Sequence, residues 1–357
     1  MGMNKLRHQI VLELLRLFCP AAKNAAEFET PRSILVIRRN RIGDMVCTLP
    51  LLHALRKQYP DASIAVACDE PGAPIARASG AADRVIVLKK GWFRLHGYWL
   101  NSRQLQGFDV ALGVKGGFDR RLATLVRLTN APVRIGYENA GANGVSLYYT
   151  APLPPPRADE HQVDSCLKLL QPLGIQPQDN EFSLRLPQSA IEYGDKVFSQ
   201  SVTGRQLAVI NISSTQPLLM ADTVFSELAR KLGTEAGWSV AVASAPRDRA
   251  RAKKLVASSR QQNIFMLETE NILELAAVLK KAGFVFTPEG GVGHLSAALG
   301  TPALVFWSGG PFVKWHTRSQ NHRHVHVDSF SSPIGLGDLW PIIEKDFLRK
   351  PVSHPAA

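Results

Sequence analysis

Gly283-Phe-Val-Phe-Thr-Pro-Glu-Gly-Gly-Val-Gly-His-Leu-Ser-Ala-Ala-Leu-Gly-Thr-Pro-Ala-Leu-Val-Phe306 reads as a buried strand, a glycine-rich turn, a short helix and a second buried strand. Glycines at 290, 291 and 293 let the backbone approach a ligand closely, and the helix that opens there offers unpaired N–H groups and a positive dipole end. That chemistry suits a phosphate or pyrophosphate. Glu289 and His294 flank it and are placed to hold a sugar, a ribose or a leaving group. Glu289, Gly290, Gly291, Val292, Gly293 and His294 are therefore candidates for holding an activated nucleotide; an ordinary strand-to-helix turn is the alternative reading.

Outward from this stretch, strands and helices alternate in two series, which implies parallel sheets with helical crossovers, an α/β chain. Upstream of it, strands are expected at Gln206–Ile212, Ser239–Ser244 and Ile264–Leu267, with helices over 221–233, 247–259 and 271–281. Downstream, Thr301–Trp307 and His324–Val327 finish the sheet and a helix covers 335–348. In the first half the strands are Ile34–Arg38, Ser63–Cys68, Arg84–Leu88, Asp109–Val114 and Val133–Tyr137. Helices fill 49–58, 73–79, 97–106, 119–129 and 161–173. Ala151–Pro156 reads as a stiff proline-rich loop, and the boundary between halves falls near 187–205. The simplest architecture is two doubly wound domains with a cleft between them, ligands lying beyond the carboxyl ends of the strands. The expected divisions are an amphipathic extension over 1–30, a first domain over 31–190, a second over 205–330, and a closing helix and tail over 331–357.

Several loops at strand ends carry candidate chemistry. Asp44 follows Gly43 at a helix start beyond the carboxyl end of a central strand. There a carboxylate either caps the helix or acts as a general base toward an acceptor hydroxyl, and the two roles are compatible. Arg38, Arg39 and Arg41 suit phosphates on an acceptor, or form a solvated basic edge. Lys115, before two glycines, and Arg120 are further candidates for an anionic acceptor, against the plain reading of exposed cations at a strand exit. Ser213 and Ser214, after the strand at 206–212, would hydrogen-bond phosphate oxygens without crowding them, or cap a turn. Asp248, in the loop after the strand at 239–244, either meets a ribose or base or, as the plainer reading, is a surface residue.

A chain of 357 residues exceeds one ordinary core, and 45% hydrophobic against 20% charged residues is a globular balance. The formal charge is +12, and residues 1–60 hold ten Lys/Arg against four acids. That patch favours an anionic partner, whether a phosphorylated substrate, an acidic lipid surface or nucleic acid. Four cysteines without C-x-x-C spacing indicate neither a zinc site nor a disulfide framework. No apolar run reaches membrane-spanning length. The segment 1–23 is interrupted by Glu13 and Arg16, unlike a signal peptide, and as an amphipathic helix it lies either at an anionic bilayer or against the protein body.

Together these positions resemble glycosyltransferase family 9, the lipopolysaccharide heptosyltransferases. The resemblance rests on Arg39…Ile42-Gly43-Asp44…Thr48-Leu49-Pro50, on Asp109…Gly116 with Arg134-Ile135-Gly136-Tyr137, and on His161…Leu173-Gly174-Ile175. It continues through Pro288–Leu295 and Ala297-Ala298-Leu299-Gly300-Thr301-Pro302, so it spans about 33 to 315. It implies a GT-B fold, two Rossmann-like domains facing across a cleft, with an ADP-heptose-like donor bound mainly by the second half. It implies inversion at the anomeric carbon without a metal ion or other cofactor, Asp44 as the base, and Gly290, Gly291 and His294 in the donor-phosphate loop. Two positions depart from the family pattern: Glu289 stands where Asp is usual and Gly290 where Thr or Ser is usual. A lysine usual before the helix at 221–233 is missing from Gln216-Pro-Leu-Leu-Met220.

The expected protein is thus a cytoplasmic glycosyltransferase, at the inner face of the membrane if the basic segment binds there. Its partners are a nucleotide-sugar donor and a phosphorylated glycolipid acceptor, with no nucleic acid. A nucleotide-sugar-binding protein without turnover is the alternative that the missing lysine raises; a basic nucleic-acid-binding protein is the more distant one.

Overall fold

The computed structural model describes residues 30–39, 41–91, 94–138, 147–176, 181–203, 206–215, 220–326 and 334–348. The chain divides into two compact units, Met1–Ser183 and Leu184–Ala357. All but residue 30 of the expected amphipathic extension over 1–30 lies outside the described residues, as do the 216–219 stretch and the tail beyond 348.

The first unit is built on six parallel strands: β1 (Ser33–Arg38), β2 (Ser63–Cys68), β3 (Arg84–Val87), β4 (Val110–Gly113), β5 (Val133–Tyr137) and β6 (Ala151–Leu153). Ile34 through Ile37 are completely buried, because a parallel sheet covered by helices on both faces shields every residue of a central strand. The order is β3-β2-β1-β4-β5-β6. Crossover helices are α1 (Ile42–Val46), α2 (Leu49–Gln58), α3 (Ala73–Ala78), α4 (Arg94–Ser102), α5 (Arg120–Leu128) and α6 (Gln162–Lys168). The stretch read as a proline-rich loop differs: Ala151–Leu153 forms β6, in register with Ile135–Tyr137. Its Pro152 is tolerated because β6 is an edge strand, where a missing N–H leaves no ladder bond unmade.

The second unit repeats the plan with β7 (Leu207–Asn211), β8 (Ser239–Ala243), β9 (Ile264–Leu267), β10 (Phe284–Pro288), β11 (Ala303–Trp307) and β12 (His322–His326). Their order is β12-β11-β10-β7-β8-β9, the same winding as in the first unit. Its helices are α7 (Gln188–Ser201), α8 (Asp222–Thr234), α9 (Arg249–Ser259), α10 (Ile272–Lys281), α11 (Gly291–Ala298), α12 (Phe312–Trp315) and α13 (Leu336–Ile343). The core centres on Phe225, Phe286 and Phe306, whose ring centroids lie 5.1 to 6.0 Å apart. The segment 187–205, read as a boundary, contains α7, which packs on α10. Only Ala190 and Gly194 of α7 are buried, too narrow an apolar stripe to announce a helix.

In both units the chain first builds outward to one side and then returns to the other, so the winding reverses between β1 and β4 and between β7 and β10. Diverging connections at such a reversal leave a crevice at the carboxyl ends of those strands.

Candidate functional site

At the first reversal the last residue of β1, Arg38, is 1% exposed, although arginine is seldom buried without partners. Each of its three guanidinium nitrogens is engaged. Nη1 donates to the Val114 carbonyl just beyond β4 at 2.9 Å, Nη2 to Asp44 Oδ1 at 2.7 Å, and Nε to the Asp44 carbonyl at 3.2 Å. Arg38 thus ties β1, β4 and α1 together. Asp44 also accepts at Oδ2 from the Arg41 amide at 3.3 Å, which closes the first turn of α1. The expected cap is present, therefore, and the carboxylate remains partly open to solvent, with 15% of the side chain exposed. The reading of Arg38 as a phosphate ligand is corrected: it is buried and committed to the fold.

The other cations expected to meet an acceptor are spread around this edge. Arg39 Nε lies 3.6 Å from Asp69 Oδ2, beyond β2. Arg41 and Arg120 are exposed. Lys115, beyond β4, is paired with Asp119, which also caps α5 by accepting from the Leu122 amide at 3.0 Å. Burial alone would raise the Asp119 carboxyl, but the bonds from Lys115 and Leu122 outweigh it and hold the group below its ordinary range.

At the second reversal, Asn211 at the end of β7 donates from Nδ2 to Thr287 Oγ1 on β10 at 3.0 Å and to the Ser213 carbonyl at 3.1 Å. The Ser213 hydroxyl donates to Asp248 Oδ2 at 2.6 Å and accepts from the Ala245 amide at 2.8 Å. Ser213 is therefore occupied in joining the loops after β7 and β8. Asp248 is corrected from a surface residue to a member of this network. Arg247 donates to the Ser214 carbonyl, and Arg251 donates to the Ile212 carbonyl at 2.8 Å. Two guanidinium groups from the loop and helix after β8 thus border the Ser213–Ser214 turn. Only spatial folding brings them there, since they lie more than thirty residues downstream.

Beside that turn β10 ends at Pro288, and the backbone passes through Glu289 and Gly290 into α11. Gly290 has φ +136° and ψ −159°, a conformation costly for any residue with a Cβ, and it is exposed. A side chain such as the usual Thr or Ser would be strained in this conformation. Gly291, Val292 and Gly293 form the first turn of α11. The Glu289 amide donates to the Phe306 carbonyl at 3.0 Å, and burial raises the Glu289 carboxyl above its ordinary range. His294 is 8% exposed and meets Trp315 edge-on with centroids 6.4 Å apart. Glu289 through His294 run from the end of β10 into α11, at the same reversal as Ser213 and Ser214 after β7.

Among the described residues no group of three or more His, Cys, Asp or Glu is arranged to hold a metal ion. Nor is any described helix long and apolar enough to cross a membrane.

A family model described as glycosyltransferase family 9 (heptosyltransferase) matches residues 102–333. Lipopolysaccharide heptosyltransferase 3 of Escherichia coli is 23% identical over 291 residues, covering 78% of this chain and 84% of the relative. Lipopolysaccharide heptosyltransferase 1 of Pseudomonas aeruginosa is 24% identical over 310 residues, covering 83% of each. Among solved structures, a family 9 glycosyltransferase from Veillonella parvula superposes with TM-score 0.78 at 18% identity, covering 92% of this chain and 99% of that one. E. coli heptosyltransferase WaaC with ADP superposes with TM-score 0.71 at 20% identity, covering 88% and 99%. The two doubly wound sheets therefore belong to the GT-B type that the sequence resemblance implies.

Proposed function

The chain belongs to glycosyltransferase family 9, the heptosyltransferase family, and from that premise we propose that it transfers a heptose from an ADP-linked donor to a lipopolysaccharide core or related glycan, with inversion and without a metal ion. The relatives support the acceptor class, since those above are lipopolysaccharide heptosyltransferases. The donor class is supported by WaaC, solved with ADP and with ADP-2-deoxy-2-fluoro heptose. The observation that carries the reading is Asp44: one carboxylate oxygen is fixed by buried Arg38, and the other meets, among the described residues, a backbone amide at 3.3 Å.

In the proposed reaction Asp44 Oδ2 takes the proton of the acceptor hydroxyl as that oxygen attacks the anomeric carbon. The bond from that carbon to the diphosphate breaks as the new glycosidic bond forms on the opposite face, which inverts the centre. The departing ADP takes the electron pair, and its charge is stabilised by the amides opening α11 and by Arg247, where a divalent cation would otherwise serve. Glu289 binds a sugar or ribose hydroxyl and His294 braces the loop. Ser213 shapes the phosphate turn through its hydroxyl and Ser214 through its carbonyl. Arg39, Arg41, Lys115 and Arg120 meet acceptor phosphates, Arg39 and Lys115 by exchanging their present carboxylate partners.

Thermal-shift measurements with ADP, UDP and GDP, followed by transfer from ADP-heptose to heptose-deficient lipopolysaccharide, test this. Stabilisation by ADP, a product of inverted anomeric configuration and full rates in EDTA are expected. Stabilisation by UDP or GDP in place of ADP, retention of configuration, or a rate lost in EDTA and restored by magnesium would contradict it.

A further inference from the structure

Residues 84–108 include five Lys/Arg (Arg84, Lys89, Lys90, Arg94, Arg103) and no Asp or Glu. The carboxylates on either side are taken up elsewhere. Asp83 accepts from Arg56 at 2.6 Å and from the Ile64 amide at 2.7 Å. Asp109 accepts from the Arg32 and Ser33 amides at 2.9 Å. Within this cationic stretch stands Trp99, 71% exposed, more than any other large hydrophobic side chain among the described residues. Val87, at the end of edge strand β3, is exposed as well. Lys89, Lys90 and Arg103 are exposed.

Trp99 does not sit on a loose loop. It lies on α4, where His96, three residues earlier and so on the same face, stacks with it at 6.1 Å between centroids. From α4 the buried side chain of Asn101 accepts at Oδ1 from the Lys89 amide at 2.9 Å. Its Nδ2 donates to the Lys89 carbonyl at 3.0 Å and to the Gly97 carbonyl at 2.6 Å. Backbone contact is equally close: a side-chain carbon on Gly91 would lie 2.2 Å from the Gly97 nitrogen. The loop bearing Lys89 and Lys90 is thus stapled to the helix bearing Trp99. Tyr98 packs against the core of the first unit and anchors the assembly.

We infer that Trp99 and His96, with Lys89, Lys90 and Arg103, form a surface that docks on the anionic face of a phospholipid bilayer. An indole combines an apolar body with a polar N–H and prefers the headgroup boundary. Lysines nearby gain from the negative surface potential, and their stems lie along the apolar boundary while the ammonium groups stay in water. Pre-assembly by Asn101 means that little ordering entropy is lost on docking. The inference goes beyond the proposed reaction, because docking needs neither donor nor acceptor.

Flotation of the full chain with vesicles of phosphatidylcholine alone, or mixed with phosphatidylglycerol, tests it. Binding only to the mixed vesicles, weakened by salt, is expected. Lys89→Glu/Lys90→Glu should lower the affinity by roughly tenfold or more. Trp99→Ala should lower it by about fivefold, with the melting temperature and the transfer rate to a lipid-free acceptor oligosaccharide unchanged. Brominated acyl chains should quench part of the tryptophan emission in the wild type, and Trp99→Phe should remove that part. If residues 1–29 supplied the attraction instead, both variants would float like the wild type and the inference would fail. It would fail equally on equal binding to neutral vesicles, on unchanged quenching in Trp99→Phe, or on displacement from vesicles by a homopolymeric RNA that binds more tightly. Loss of transfer with vesicle binding intact would count against the reaction and leave the surface standing.

Discussion

Arg38 Nη2 lies 2.7 Å from Asp44 Oδ1, and the same guanidinium reaches the Asp44 carbonyl and the Val114 carbonyl. A planar fork with three fixed partners holds the carboxylate in one orientation, which an ammonium on a flexible stem does not reproduce. Positioning within a fraction of an ångström matters to proton abstraction, so Arg38→Lys is expected to lower kcat by about 100-fold with donor KM unchanged. Arg38→Ala removes the partner of the Val114 carbonyl and of Asp44 Oδ1 and is expected to cost about 3–5 kcal/mol of stability. Steady-state kinetics and thermal melting separate the two effects; a change in donor KM alone would remove Arg38 from this role.

Glu289 has its carboxyl raised by burial, and no cation among the described residues offsets the shift. If its ionised form accepts a hydroxyl of the donor, donor KM falls as pH rises through this raised value and climbs again on acidification. Glu289→Gln keeps the shape and removes the titration, so its KM is expected to be higher at neutral pH and flat across the acid range. The same shift makes folding more favourable on acidification, because the folded state takes up the proton first. A KM profile of Glu289→Gln that still bends in the acid range would assign the titration elsewhere.

Thr317 links two histidines behind the donor loop. The Thr301 carbonyl, 3.1 Å from His322 Nε2, only accepts, so that nitrogen carries the hydrogen. A neutral His322 then accepts at Nδ1 from the Thr317 hydroxyl at 2.7 Å, and the Thr317 oxygen accepts from His324 Nε2 at 2.8 Å. Burial, with neighbouring positive charge, lowers both rings to about 4. An imidazole whose folded value lies below its unfolded value near 6.5 stabilises the fold above that pH, and the contribution is lost as pH falls toward about 4. The melting temperature is expected to fall across that window, and His322→Asn/His324→Gln to flatten the fall. Thr317 Cγ2 would meet a Cβ on Gly293 at 3.5 Å, so this relay backs α11 directly.

Gly136→Ala is expected to destabilise the first unit by about 1–3 kcal/mol or more, because the added carbon would lie 2.2 Å from the buried Tyr149 ring. Urea unfolding measures this, and a change within error would mean that the ring moves aside freely. Tyr149→Phe in the same background should not rescue it, since the ring carbon, not the hydroxyl, makes the closest approach.

The Arg134–Tyr137 motif that contributed to the family resemblance is explained by packing. Arg134 is buried and donates to the Tyr148 and Ala131 carbonyls, Gly136 admits the Tyr149 ring, and Tyr137 donates to the Ser165 carbonyl at 2.6 Å. Central strands such as β1 and β7 were legible because burial on both faces demands unbroken apolar runs. The glycine turn at 290 was legible because few other residues adopt its φ. Asp248 and Arg247 were not: their partners Ser213 and Ser214 are more than thirty residues away, and no local period encodes such a pairing. Arg38 left one trace, a cation closing an apolar strand ahead of Arg39 and Arg41, which reads equally as a strand exit until its partners are seen. α7 left almost none, because its buried stripe is two small residues wide.

Asp44→Asn, assayed for heptose transfer and for stabilisation by ADP in the same preparation, tests the account most directly. Transfer is expected to fall to background while the ADP-induced rise in melting temperature stays at the wild-type value, since the donor loop in the second unit is untouched. A variant that transfers at the wild-type rate would show that Asp44 is a helix cap and that the proton leaves by another group.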